Sequence, residues 1–486
     1  MTSSSSQQTR IEYGDFQTPF DLAARVCRKL TELGVHPDLV IEPTCGIGAF
    51  VEAAAEYFPL AKILGVEINS SHLAVLQEKL KYQLENGRVE IKQGDFFRFN
   101  WSELLTRQEG VVLVLGNFPW VTNSQQGIIG GTNLPRKHNF QNQNGWEART
   151  GKSNFDISEA MLMQTTLWLR ERVGYVAMLC KTTAARKFLS YVHANRIGLE
   201  HAAIYQIDAK KHFDVAVSAC LLVCKFVPQA QNYDYEVFPD LNSTTGQWIG
   251  RRNGLMVRDL DTFEELSYLH GQSEFIWRSG VKHDCAEIME LRKQSGEYIN
   301  GLGEIADVES SLLFPLLKGS DVANNRVKST DRYVLITQKS VGESTKTIKK
   351  IAPKTWEYLE SHAQYLDNRK SKIYLDAPRF SIFGVGPYTF APWKIAICGL
   401  YKSLDFRLIG EISEKPVLFD DTVYFISFDS YEEASRVLSL LTSPPVQNYL
   451  SALIFWDDKR PIKASILNSL NMTRLVTTQQ LSLFGT

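Results

Sequence analysis

The chain of 486 residues predicts an α/β protein: a doubly wound, Rossmann-like parallel sheet followed by a second, mixed α/β domain. Three observations carry that expectation. Strand-sized apolar runs alternate with amphipathic helical stretches through the first 226 residues, the pattern of repeated strand–helix–strand units. The alternation then fades where Pro228, Pro239 and a polar QAQNYDY segment interrupt it. The length itself is about three times the ~150-residue prior for one domain, so more than one core is required.

Taken in order, residues 37–41 read as a strand, 48–57 as a helix, 62–66 as a strand and 71–84 as a helix. Strands follow at 89–93 and 111–115, then a helix at 157–169 and strands at 173–180 and 219–226. Residues 121–154, rich in Asn, Gln and Gly, are too long for an ordinary connection and read as a functional loop. The expected limits are a flexible tail 1–10, a first domain 11–228, a linker 229–243 and a second domain 244–486. In that second domain short strands mix with helical patches at 287–292, 355–365 and 431–441.

Composition narrows the class. With 44% hydrophobic and 22% charged residues, the chain can bury real cores and is not disordered. Its longest apolar runs, 111–115 and 220–223, are far short of a membrane span, and the MTSSSSQQTR start has no signal-peptide core. A cytoplasmic protein with reduced thiols is expected, because the seven cysteines show no zinc-cluster spacing. No metal is therefore assigned. The net charge of −1 hides two basic segments: 9 Lys/Arg against 4 Asp/Glu in residues 121–187, and 11 against 5 in 326–372. Two such stretches on a nearly neutral chain point to an anionic partner.

The chemistry begins at VIEPTCGIGAF, residues 40–50. A strand ends at Glu42–Pro43, Cys45 and the turn glycines Gly46 and Gly48 follow, and a helix starts. Such glycines let a ligand approach the backbone at a helix N-terminus. About twenty residues on, ILGVEIN places Glu67 and Ile68 at the next strand end, where a carboxylate can accept from ribose hydroxyls. IKQGDFF sets Asp95 and Phe96 at the third, where an acid can read an adenine amino group and a ring can pack on the base. Three such signals at successive strand ends point to an adenosine-containing cofactor. Nicotinamide dinucleotides are disfavoured, since Val51 stands where the third glycine of GxGxxG belongs.

The deciding element follows the fourth strand: Asn117–Phe118–Pro119–Trp120. An exocyclic amino group on a nucleobase is a poor nucleophile, because its lone pair is delocalised into the ring. An Asn side-chain oxygen and a backbone carbonyl, both accepting from that NH₂, favour a more tetrahedral nitrogen. Proline stiffens the turn and the aromatic can stack on the base. No His or Cys is needed. Cytosine-C5 chemistry is excluded, because its nucleophilic Cys typically follows Pro and the chain contains no Pro-Cys pair.

These motifs, in this order, resemble the S-adenosylmethionine-dependent adenine-N6 DNA methyltransferases of gamma arrangement. Phe16, Thr18 and Pro19 match that family's FxTP segment, which the resemblance places over the methionine end of the cofactor. EPTCGIG, Glu67, GDFF and NFPW match the next motifs, residues 153–169 the helix that closes the cofactor pocket, and Phe213 before VAVSACLLVCKF the aromatic beside the flipped base. Residues 276–285, 314–322 and 455–463 resemble pieces of the family's target-recognition domain. The resemblance thus implies a class I methyltransferase domain at 11–228 and a DNA-binding domain at 244–486, working as a monomer on double-stranded DNA. A separately encoded restriction endonuclease is left open as a partner. With ten residues ahead of the first motif, no nuclease domain is expected in this chain.

One position departs from the family pattern: Phe118 stands where a proline is usual, as in ribosomal-RNA adenine methyltransferases. RNA adenine-N6 methylation and a catalytically weak nucleic-acid-binding homologue therefore stay open as alternatives. Protein-glutamine methyltransferases share the Asn-Pro-Pro-Tyr logic but lack so large a basic appendage. Asn rather than Ser at the head of the tetrapeptide favours adenine over cytosine-N4.

Overall fold

A computed structural model describes residues 17–120 and 157–474. The expected tail 1–10, Phe16 and the long loop 121–154 lie outside them. The chain divides into two compact units, Met1–Arg251 and Arg252–Thr486.

The first unit is built on one twisted sheet. Its strands are β1 (Leu39–Glu42), β2 (Lys62–Glu67), β3 (Val89–Gln93), β4 (Val112–Asn117), β5 (Gly174–Lys181), β6 (Leu199–Ile207), β7 (Ala219–Phe226), β8 (Tyr235–Phe238) and β9 (Gln247–Arg252). They lie side by side in the order β9-β8-β6-β7-β5-β4-β1-β2-β3. Strands β1 to β5 are parallel, and the order reverses between β1 and β4. That reversal is the topological switch point, where the strands' carboxyl ends open a crevice. All four residues of β1 are buried, as expected of a central strand covered on both faces.

The helices include α1 (Phe20–Glu32), α2 (Ala49–Tyr57), α3 (Ser70–Lys79), α4 (Trp101–Thr106), α5 (Ile157–Leu169), α6 (Thr182–Ala194) and α7 (Ala209–Phe213). Leu22, Val26, Cys27 and Leu30 put the apolar stripe of α1 into the same buried cluster as Phe50, Val51 and Ala54 of α2. Asn69, Asn100 and Asp208 start α3, α4 and α7 by accepting from the N–H groups of Ser71, Glu103 and Lys211.

Two expectations are corrected. The sheet is not wholly parallel, since β7 runs antiparallel to both β5 and β6. Residues 229–243 are also not a bare linker: they include β8, which pairs in parallel with β6. The first unit accordingly runs to Arg251 rather than 228. The polar residues of QAQNYDY hid β8, because Tyr235 and Phe238 alone face the core there.

The second unit is mixed α/β. Beyond the short β10 (Leu255–Val257) it holds an antiparallel sheet of β11 (Arg278–Ser279), β16 (Trp393–Cys398), β17 (Arg407–Ile409) and β19 (Val423–Phe428). A second sheet joins β12 (Glu290–Gln294), β13 (Glu297–Ile299), β14 (Leu313–Leu317), β15 (Arg332–Leu335) and β18 (Leu418–Phe419). Its helices include α8 (Pro353–Ser361), α9 (Tyr431–Leu441) and α10 (Pro444–Leu453). Here Lys346, Lys349, Lys350 and Lys370 are exposed. The hydroxyl of Thr345 donates to the carbonyl of Arg379 at 2.6 Å, tying together the two surface segments that carry the basic residues. No helix among the described residues is long and apolar enough to cross a membrane.

Candidate active site

The site begins where β1 hands over to α2. Gly46 and Gly48 have φ of +52° and +82°, the left-handed region. A Cβ at Gly46 would lie 2.7 Å from the Gln17 side-chain oxygen, and one at Gly48 would lie 2.0 Å from Leu76 Cδ1. The turn is thus glycine for both dihedral and space. Gln17 Oε1 accepts from the Ile47 N–H at 3.2 Å, which docks the segment before α1 onto the turn. Sequence reasoning passed over Gln17, although it lies inside the FxTP segment between Phe16 and Thr18.

Glu67 ends β2 and is buried. One carboxylate oxygen accepts from the Gly46 N–H at 2.7 Å and the other from the Asn69 N–H at 2.8 Å. The acid therefore fixes the glycine turn to the end of β2. The next residue, Ile68, is a large apolar side chain left 44% exposed at that same strand end. Asp95 accepts from the Phe97 N–H at 2.8 Å, holding the turn after β3. Phe96 is buried, with its ring centroid 5.5 Å from those of both Phe118 and Trp168.

Glu42 and Pro43 are buried at the end of β1. Burial raises the Glu42 carboxyl well above the ordinary carboxylate range, nearby Glu67 adds to the shift, and the Val51 N–H partly offsets it. Its Oε2 is buried with no hydrogen-bond partner. Cys45 is buried too, and desolvation raises its thiol, so it is no nucleophile. It fills the space that Gly65 leaves open, its sulfur 3.1 Å from where a Cβ there would stand. All seven cysteines are free and buried.

The tetrapeptide closes the crevice at the end of β4. Asn117 Nδ2 donates to Thr18 Oγ1 at 3.3 Å across 99 residues of chain. Phe118, 1% exposed, points away into an aromatic cluster with Phe96, which itself touches Trp101 and Trp168. The side chain that stands in place of the usual proline thus serves packing. Trp120 meets Phe213 of α7 edge to face, centroids 5.0 Å apart. Lys181, at the end of β5, donates to the Trp120 carbonyl at 3.2 Å. That lysine was also missed, because nothing in its local sequence signals a partner 61 residues earlier.

The structure therefore gathers Thr18, Pro19, the glycine turn, Glu67 and Asn117 around the switch point, with Trp120 and Phe213 adjoining. The features fit an adenosine cofactor with a cationic end: a turn without room for side chains, a buried carboxylate at β2, an exposed Ile68 and a buried carboxyl at β1. Among the described residues, no group of three or more His, Cys, Asp or Glu side chains is arranged to hold a metal ion.

No protein-family model matches the chain. Two curated relatives and one solved structure are similar to it. Modification methylase CviBIII of Paramecium bursaria Chlorella virus NC1A is 26% identical over 197 residues, 40% of this chain and 45% of that protein. A solved structure of the type IIL restriction-modification enzyme MmeI in complex with DNA aligns over 95% of this chain with a TM-score of 0.49 and 12% identity. This chain spans 65% of that one. Type II methyltransferase M.NspV of a Nostoc species is 53% identical over 468 residues, 96% of this chain and 97% of its own length. At that identity and coverage, the chain belongs to the type II methyltransferases.

Proposed function

We propose that this protein methylates the N6 amino group of an adenine in a specific DNA sequence, as the modification enzyme of a restriction–modification system. The observation that carries the reading is the placement of Asn117 at the end of β4, held to Thr18 and followed by a turn whose Trp120 meets Phe213. S-adenosylmethionine supplies the electrophilic methyl group when bound. Glu67, Ile68 and the glycine turn would hold its adenosine half, and Thr18, Pro19 and Glu42 its methionine end.

The chain's own residues then do the rest. A stacked adenine cannot reach the crevice, so the target base is flipped out, at a cost of a few kcal/mol. Trp120 offsets part of that cost by stacking, while Phe213, edge-on to the indole, walls the side of the pocket. The Asn117 side-chain oxygen and the Phe118 carbonyl accept from the amino group and aim its lone pair. Positioning and electrostatics, rather than general-base catalysis, lower the barrier. In the second unit, exposed Lys346, Lys349, Lys350 and Lys370 contact phosphates and orient the duplex. The family to which the chain belongs and the name of the MmeI complex support DNA as substrate. Burial of Phe118 favours an active turn over a degraded one.

The test is transfer of radioactive methyl groups from S-adenosylmethionine to mixed-sequence duplex DNA, followed by nucleoside analysis. Label in N6-methyladenine is the expected result. Label in N4-methylcytosine, or in RNA alone, would overturn the adenine–DNA reading.

A further inference from the structure

The second unit exposes a large apolar side chain inside one of its basic segments. Leu375 is 77% exposed, and Ile373 on the same turn is 42% exposed. Residues 368–375, NRKSKIYL, carry three basic residues and no acid. Lys370 and Lys372 are exposed just ahead of the two apolar residues. Through Arg379 and Thr345, the chain that follows is tied to the segment of Lys346, Lys349 and Lys350.

A single exposed leucine is ordinary. What distinguishes this one is how firmly the turn beneath it is held. Tyr374, between the two apolar residues, has its ring centroid 3.6 Å from the Arg369 guanidinium and meets Phe383 edge to face at 5.4 Å. Its hydroxyl donates to the Lys282 carbonyl at 3.3 Å. Arg369 in turn donates to the carbonyls of Leu366, His283 and Ser381 at 2.7, 3.1 and 2.7 Å. The Leu375 N–H closes the turn onto the Lys372 carbonyl at 3.2 Å. Leu375 is thus presented to solvent from a turn anchored on neighbouring segments of the fold. Its exposure is not looseness.

An ordered apolar tip beside cations fits an occupant that is anionic outside and apolar within. A DNA duplex is both, because phosphates flank a stack of bases. We propose that Leu375 is an intercalating wedge, which enters the base stack at the target step and occupies the space that the extruded adenine leaves. The inference rests on the reading of this protein as a DNA adenine methyltransferase whose second unit holds the duplex. The division of labour follows from the chemistry. Lysine contacts to phosphate supply affinity for any sequence, while the wedge opposes return of the base to the stack. A side chain on an anchored turn also loses little freedom on insertion.

Once the methylated sequence is mapped, single-turnover transfer by the full-length protein is measured on two duplexes. One is fully paired; the other has an abasic site opposite the target adenine, which lowers the cost of extrusion. Leu375→Ala shortens an exposed side chain and keeps every contact that anchors the turn. It should slow transfer about tenfold or more on the paired duplex, yet come within about twofold of the wild type on the abasic one. Its affinity for duplex lacking the site should stay within about twofold of the wild type, since phosphate contacts dominate there. Wild-type rates of Leu375→Ala on the paired duplex would overturn the proposal and leave the tip to a protein partner. Equal slowing on both duplexes would overturn it too, because a defect in positioning is not relieved by easier extrusion. A wild type that labels no DNA at all would instead overturn the methyltransferase reading, and this proposal with it.

Discussion

Asn117 and Thr18 are joined by a hydrogen bond of 3.3 Å between Nδ2 and Oγ1, so the residue proposed to aim the target nitrogen is itself oriented by the segment that precedes α1. An amide that donates through its nitrogen presents its oxygen the other way. Asn117→Ala should leave cofactor affinity nearly unchanged while methyl transfer falls by orders of magnitude. Thr18→Val, which removes only the orienting contact, should slow single-turnover transfer about fivefold, the equivalent of ~1 kcal/mol. Transfer by Asn117→Ala at the wild-type rate would sink the mechanism.

Glu67 is a double acceptor, and its two partners are backbone donors on different elements. An amide in its place keeps one acceptor and turns an NH₂ toward the other N–H. Glu67→Gln should therefore loosen the glycine turn and weaken cofactor binding by about ten- to a hundredfold, as expected for loss of a charge-assisted hydrogen bond and one mismatch. Equilibrium binding of labelled cofactor reads the change directly. An unchanged dissociation constant would mean that the turn holds its shape without this acid.

Phe118 is buried among aromatics, while the proposed mechanism uses only its backbone carbonyl. Phe118→Ala should cost about 3–5 kcal/mol of stability by opening a cavity. The folded fraction should keep methyl transfer within an order of magnitude. Urea unfolding and transfer rates normalised to folded protein separate the two effects. A collapse of transfer in fully folded protein would show that the ring itself takes part.

Glu42 titrates upward in the folded state, so its contribution to stability has an unusual sign. The folded protein holds this proton more tightly than the unfolded chain does. Stability from this group is therefore full below the unfolded pKa of about 4.3 and declines as pH rises toward the folded value. Glu42→Gln, which cannot ionise, should gain on the wild type in urea midpoint as pH is raised from 5 to 8 in the absence of cofactor. A difference that stays constant over that range would contradict a neutral Glu42.

The sequence made the crevice legible wherever chemistry and local pattern coincide. Glycines that must turn, acids at strand ends and the Asn-x-Pro-aromatic turn are all written in adjacent residues, so Gly46, Glu67 and Asn117 could be placed before any coordinates. Trp120 and Phe213 are 93 positions apart, and only the family resemblance paired them. Gln17 on the glycine turn and Lys181 on the Trp120 carbonyl were not readable, because each contact exists only once distant elements pack. Strand β6 was overlooked for a related reason: LEHAAIYQI mixes polar residues into a strand whose central residues are buried between β7 and β8. The antiparallel sense of β7 likewise leaves no trace in a uniformly apolar run such as ACLLVCKF.

The burial of every cysteine has a practical reach beyond packing. Alkylating reagents attack thiolates, and burial raises the thiols of Cys27, Cys45 and Cys224 away from that form. A folded molecule is thus chemically silent toward such reagents, and each modified sulfur records a moment when its surroundings opened. Cys27 and Cys45 lie in the first unit, Cys285 and Cys398 in the second. The order in which they react under mild heating becomes a built-in clock for which half of the protein breathes first, with no label added.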